Sequence, residues 1–144
     1  MKHILILCVG NICRSPIAEA LLKQEFPEKK IWSAGLGALI GSPADPSSIE
    51  VAAARGLDMS AHRAQQLASW MCQTADLIFV MEQFQKTEVQ RLYPLVRGKV
   101  FRLGEPGKFD IADPYRQPMA AFDTAYEAIA LGVANWVPRI RLLG

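Results

Sequence analysis

A chain of 144 residues that is 51% apolar and 21% charged has the make-up of one compact domain, able to bury about 70% of its unfolded surface without disulfides or metals. Sixteen basic against fourteen acidic residues leave a formal charge of +2 with no Lys/Arg run, so there is none of the one-sided basic footprint of a nucleic-acid binder. No stretch approaches the roughly 18 to 20 uninterrupted apolar residues of a membrane span, so membrane insertion is not expected.

The elements then follow in chain order. His3 to Cys8 is a short Ile/Leu run closed by Gly10, the pattern of a strand covered on both faces. Ser15-Pro16 predicts an N-cap and a first-turn proline for a helix that runs until Pro27. Lys30 to Ala34 reads as a second strand, followed by a loop punctuated by Gly35, Gly37, Gly41 and Pro43. Asp45-Pro46 opens a helix that stops at Gly56, and Gln65 to Cys72 is expected to form another short one. Asp76 to Met81 and Lys99 to Leu103 read as the third and fourth strands, with a helix from Gln83 to Tyr93 between them. A polar loop, Gly104 to Gln117, leads into a last helix from Met119 to about Leu142. Alternating strands and helices predict one α/β domain over residues 1–144, a three-layer sandwich with a four-stranded parallel sheet and helices on both faces. Ligands of such sheets sit at the carboxyl ends of the strands.

The segment Cys8-Val9-Gly10-Asn11-Ile12-Cys13-Arg14-Ser15 lies at that end of the first strand. Gly10 and Asn11 tolerate unusual backbone angles, so successive N–H groups of Val9 to Ser15 can turn inward as a nest ahead of a helix N-terminus. Such a ring suits a tetrahedral oxyanion. A nucleotide-binding Walker loop is excluded, because neither Gly98-Lys99 nor Gly107-Lys108 precedes Ser or Thr. A thiol placed among inward N–H groups, a helix start and an arginine is expected to ionise well below about 8.5, which makes Cys8 a nucleophile. Arg14 offers two parallel N–H donors to phosphoryl oxygens, and Ser15 can cap the helix or donate to sulfur. Displacement of an oxygen leaving group also needs a general acid, for which the late loop offers Asp110 and Asp113. Asp113 is favoured, because Pro114 stiffens its backbone and Tyr115 sets a ring beside it. Cys13 is near enough in sequence to capture an oxidised Cys8 as a disulfide. Cys72, beside Trp70 and Met71, reads as core. Three cysteines without an export signal favour reduced thiols and a cytoplasmic setting.

The run from Cys8 through Ser15 to Pro16-Ile17-Ala18-Glu19-Ala20 resembles the signature of the low-molecular-weight protein tyrosine phosphatases. The likeness continues through Ser33-Ala34-Gly35, Ala44-Asp45-Pro46, Ser60-Ala61-His62, Met81-Glu82 and Asp113-Pro114-Tyr115. It implies hydrolysis of phosphotyrosine through a cysteinyl-phosphate, with Asp113 as general acid. It further implies that Asn11, Ser15, Ser33 and His62 brace the phosphate loop from behind. Ile12, Leu39 and Tyr115 match the family's pocket rim. Leu39 stands where eukaryotic relatives commonly carry an aromatic, and Ile12 where the similar arginine phosphatases usually carry Thr. Together with Asp113-Pro114-Tyr115-Arg116, these residues resemble the Gram-negative branch associated with exopolysaccharide export, which implies a bacterial tyrosine autokinase as the partner substrate. Ala64-Gln65-Gln66 departs from the Ala-Arg-Gln frequent in relatives.

No cofactor or metal is called for, since no His/Cys/carboxylate cluster has ligand spacing, and a monomer is expected. Two rivals remain. An arsenate reductase on the same fold needs two later cysteines as a relay, whereas only Cys72 follows Cys13. A non-catalytic phosphate-binding module would have no use for Asp113.

Overall fold

The computed structural model describes residues 1–144. Four parallel strands, β1 (His3–Cys8), β2 (Lys30–Gly35), β3 (Leu77–Val80) and β4 (Val100–Arg102), lie in the order β2-β1-β3-β4. Five helices alternate with them: α1 (Arg14–Glu25), α2 (Pro46–Ala53), α3 (Ser69–Thr74), α4 (Gln83–Leu92) and α5 (Met119–Leu143). The expected α/β sandwich is the fold.

The alternation of β1 explains its unbroken apolar run. Ile4, Ile6 and Cys8 face a cluster built with α1, α2 and α5, while Leu5 and Leu7 face a smaller one with α3 and α4. Both faces are dry, so every residue from Ile4 to Cys8 is buried. The chain pairs β2 to one side of β1 and then crosses to place β3 on the other. The carboxyl end of β1 is therefore the topological switch point, where neighbouring connections diverge and leave a crevice.

Two expectations are corrected. The helix expected from Gln65 to Cys72 begins only at Ser69, because residues 65–68 run extended beside the end of β2. Gly35 N–H donates to the Gln65 carbonyl and Leu67 N–H to the Gly35 carbonyl, both at 2.9 Å, and these non-local bonds win over local helical ones. Ser15 does not cap α1. Cys13 occupies the cap position without a side-chain bond, Ser15 lies inside the first turn, and its hydroxyl is engaged elsewhere. Asp45 does cap α2, accepting the Ser47 N–H at 2.8 Å ahead of Pro46.

Candidate active site

The loop joining β1 to α1 is shaped by its carbonyls. Those of Cys8, Val9, Gly10 and Ile12 accept N–H groups of Leu36, Gly37, Leu39 and Asp45 at 2.9 to 3.1 Å. The Asn11 carbonyl accepts from His62 Nε2 at 2.6 Å, and that of Cys13 from the Ser48 hydroxyl at 3.2 Å. Since a carbonyl only accepts, Nε2 of His62 carries the proton. Six consecutive carbonyls are thus drawn outward. None of the N–H groups of Val9 to Cys13 donates to another backbone carbonyl, so they remain for the inner side of the loop. Asn11 makes the turn possible with φ of 59°, in the left-handed region that asparagine enters more readily than most residues. Gly35 makes room for it: a Cβ there would lie 2.4 Å from the Val9 carbonyl oxygen.

Behind the loop, polar side chains are joined in a line whose direction is fixed by donor accounting. Asn11 Oδ1 accepts the Gln65 N–H at 3.0 Å, so its Nδ2 must face the two serines, donating to Ser15 Oγ at 2.8 Å and Ser33 Oγ at 2.9 Å. Ser33 donates onward to Glu19. Ser15, already an acceptor, has its own hydrogen for Cys8 Sγ, 2.9 Å away. That hydrogen is free to be donated to sulfur, the arrangement a thiolate at Cys8 requires. Asn11, Ser15 and Ser33 are all buried.

Arg14 is 1% exposed, which makes its partners decisive. Its Nη1 donates to Glu82, from the loop after β3, and to the Ile111 carbonyl at 2.7 Å. Nη2 lies 3.8 Å from Asp113 Oδ2, an ion pair rather than a hydrogen bond, and the buried Nε has no protein partner. The Nε/Nη2 edge is thus left for a bidentate anion. Asp113 is held differently. Its Oδ1 accepts the Tyr115 N–H at 3.0 Å, and its side chain is 45% exposed.

Cys8, Val9, Gly10, Ile12, Cys13, Arg14, Leu39, Asp113 and Tyr115 all line one cleft of about 300 Å³. Asn11, Ser15, Ser33 and His62 are not part of its lining and bond to the loop or to one another. Burial, reinforced by the charges of Asp45, Asp113 and Cys8, pushes the Cys13 thiol up to about 12. Cys72 packs in the smaller cluster on the other face of the sheet, so it is not placed to relay a disulfide from this cleft.

Sequence reasoning did not identify Glu82 as the partner of Arg14, nor Glu19 as the end of the hydrogen-bonded line. A signal for Glu82 existed: an arginine buried at the strand ends needs a carboxylate there, and Glu82 lies two residues past β3. Glu19 sits one helical turn past Ser15 on the same helix, but nothing local ties it to Ser33.

A parallel sheet with an anion nest, a thiol and an arginine at its switch point defines a cysteine-dependent phosphatase architecture. Residues 3–142 match the family described as low molecular weight phosphotyrosine protein phosphatase. The chain is 57% identical to the probable low molecular weight protein-tyrosine-phosphatase EpsP of Ralstonia nicotianae, over 100% of this chain and 99% of that protein. Among solved structures, the tyrosine phosphatase Wzb of Escherichia coli K30 in complex with sulphate superimposes with a TM-score of 0.93 at 40% identity, covering 96% of this chain and 98% of Wzb. Wzb of Vibrio vulnificus in complex with benzylphosphonate gives 0.92 at 43% identity over the same shares. The chain belongs to the low molecular weight phosphotyrosine protein phosphatase family and is a protein-tyrosine-phosphatase.

Proposed function

We propose that residues 1–144 act as a single catalytic domain that dephosphorylates a tyrosine-phosphorylated protein, with Cys8, Arg14 and Asp113 carrying the chemistry. The observation that carries this reading is the pairing of Cys8 Sγ with the Ser15 hydroxyl, 2.9 Å away, in a cleft whose wall holds Asp113. Cys8 attacks phosphorus in line as the thiolate, and the P–O bond to the tyrosyl oxygen breaks. Asp113, entering as the carboxylic acid, gives its proton to that oxygen, so tyrosine leaves neutral. Arg14 and the amides of Val9 to Ser15 hold the three equatorial oxygens through the displacement. Asp113, now a carboxylate, takes a proton from water as the water oxygen attacks phosphorus. The P–S bond breaks, phosphate departs and the thiolate is restored.

Ile12, Leu39 and Tyr115 wall the cleft, and a slot of this kind favours a long aryl phosphate over a short alkyl one. The likeness to EpsP and Wzb, together with the wall residues, supports a bacterial tyrosine autokinase controlling exopolysaccharide synthesis or export as the substrate, met in the cytoplasm by a monomeric enzyme. No helix is long and apolar enough to cross a membrane. Cys13, kept protonated by its burial, does not compete with Cys8 for substrate. After a peroxide converts Cys8 to its sulfenic acid, the Cys13 sulfur displaces the hydroxyl as water and closes a reducible disulfide.

The test is hydrolysis of para-nitrophenyl phosphate with EDTA present. Wild type is expected to turn over and Cys8→Ser to lose at least about 10⁴-fold, as nucleophile removal does in other covalent enzymes. A wild type that is inert yet binds phosphate, or that reduces arsenate, would sink this reading. Phosphotyrosine, phosphoarginine and phosphoserine peptides then rank the substrates, with phosphotyrosine expected first.

A further inference from the structure

The cleft wall carries one cation that the proposed chemistry does not use. Arg102 is neutralised by Glu105 and Asp110, and Arg14 by Glu82 and Asp113. Arg116, on the wall of the same cleft and exposed, has no carboxylate partner. Its guanidinium lies over the Tyr115 ring, 5.2 Å from the centroid. That contact steadies the group without cancelling its charge.

The backbone supplies a second observation. Gln117 N–H donates to the Pro114 carbonyl at 2.9 Å, closing a turn in which Arg116 holds the third position with φ of 63°. Glycine is the residue of least cost in that region, so the turn itself gains nothing from an arginine. A charged side chain is therefore kept at the cleft mouth against the preference of its own backbone.

We infer that Arg116 is a specificity-determining residue, drawing in phosphotyrosine peptides that carry an acidic group, a carboxylate or a second phosphoryl, within about three residues of the phosphotyrosine. This rests on the phosphatase reading above. An extended peptide advances roughly 3.3 Å per residue, so a side chain that close to a phosphotyrosine seated over Cys8 stays within reach of the cleft wall. Leu39 and Tyr115 give the opening an apolar lining and the neighbouring acid, Asp113, is engaged with Arg14, which leaves Arg116 to set the charge preference. An exposed pair of this kind is expected to change kcat/KM by about two- to fivefold at low ionic strength and less as salt screens it.

The experiment compares phosphotyrosine peptides of one length with Asp, Asn or Lys placed two residues from the phosphotyrosine, using wild type, Arg116→Gly and Arg116→Glu. Wild type should favour the Asp peptide over the Lys peptide, Arg116→Gly should level the series, and Arg116→Glu should reverse it. Arg116→Gly also controls for the fold, because relief of the turn predicts a melting midpoint no lower than wild type. An acidic preference that survives in Arg116→Gly, or that Arg116→Glu leaves unreversed, overturns the inference. So does a wild type that hydrolyses para-nitrophenyl phosphate but ignores peptide charge, in which case the phosphatase reading stands. A wild type inert to every phosphate ester overturns both.

Discussion

The two loops that meet over the cleft are built on opposite terms. The loop from Cys8 to Ser15 is mostly buried, its carbonyls tied outward and its side chains bonded behind it. The loop that brings Asp113 is open to solvent, and its acid is held by one backbone N–H and a long ion pair. The difference follows from what each must do. Groups that receive a phosphoryl of constant charge gain from being fixed in advance, because no reorganisation is then needed in the transition state. A proton donor must change charge twice in each cycle, and a buried carboxyl bonded on all sides would resist one of its two states.

Removing the exposed acid should show the largest effect after loss of Cys8 itself. Asp113→Ala is expected to lower kcat by about 10² to 10⁴-fold on phenyl phosphate, and by less on para-nitrophenyl phosphate, whose leaving group needs a proton less. Equal losses on the two esters, measured at steady state, would mean that Asp113 is not the acid.

Asn11→Ala probes the rigid partner. It leaves the Gln65 N–H without its acceptor, takes a donor from each of two serine hydroxyls and places alanine, less tolerant of the left-handed region than asparagine, where φ is 59°, so a loss of about 3 to 4 kcal/mol of stability is expected in urea unfolding. Asn11→Gly should recover about 1 kcal/mol of that, the backbone share, and none of the rate.

Gly35→Ala tests the close approach behind the loop. The new carbon would press on a main-chain oxygen that the Gly37 N–H already holds, so about 2 to 3 kcal/mol is the expected cost in the same assay. Wild-type stability would show that the loop has more slack than its bonding pattern suggests.

The smallest effect separates the two thiols of the rigid loop. Cys13 stays protonated in the folded protein up to about 12, while the unfolded chain loses that proton near 9. Its contribution to stability is therefore present below pH 9 and lost as pH rises from 9 towards 12, by about 1 kcal/mol at pH 10. Cys13→Ala should flatten that alkaline limb in urea titrations; an unchanged slope would refute the assignment.

Much of this was legible in the sequence because it is local. The apolar run at His3–Cys8, Asp45-Pro46 at the start of α2 and the glycine and asparagine inside the first loop each act within a few residues of themselves. What escaped is non-local. The extended stretch at 65–68 exists because Gly35 offers it a donor and an acceptor, thirty positions away in sequence. Ser15 reads as a cap from its neighbours, and only the position of Cys8 across the loop redirects its hydroxyl. Glu82 and Glu19 look like ordinary surface acids until burial of Arg14 and Ser33 gives them a task.

The six outward carbonyls of the first loop have a thermodynamic corollary. Their donors come from residues 36–39, 45–48 and 62, segments separated by stretches of chain that come together only in the finished fold. A partly folded or cleaved chain lacks the seat altogether. Any oxyanion that occupies it is bound by the native state alone and, at free concentration c, stabilises that state by RT ln(1 + c/Kd), an increment that grows with its concentration. Thermal melting in the presence of phosphate or vanadate would then read affinity directly, even in variants that have lost turnover.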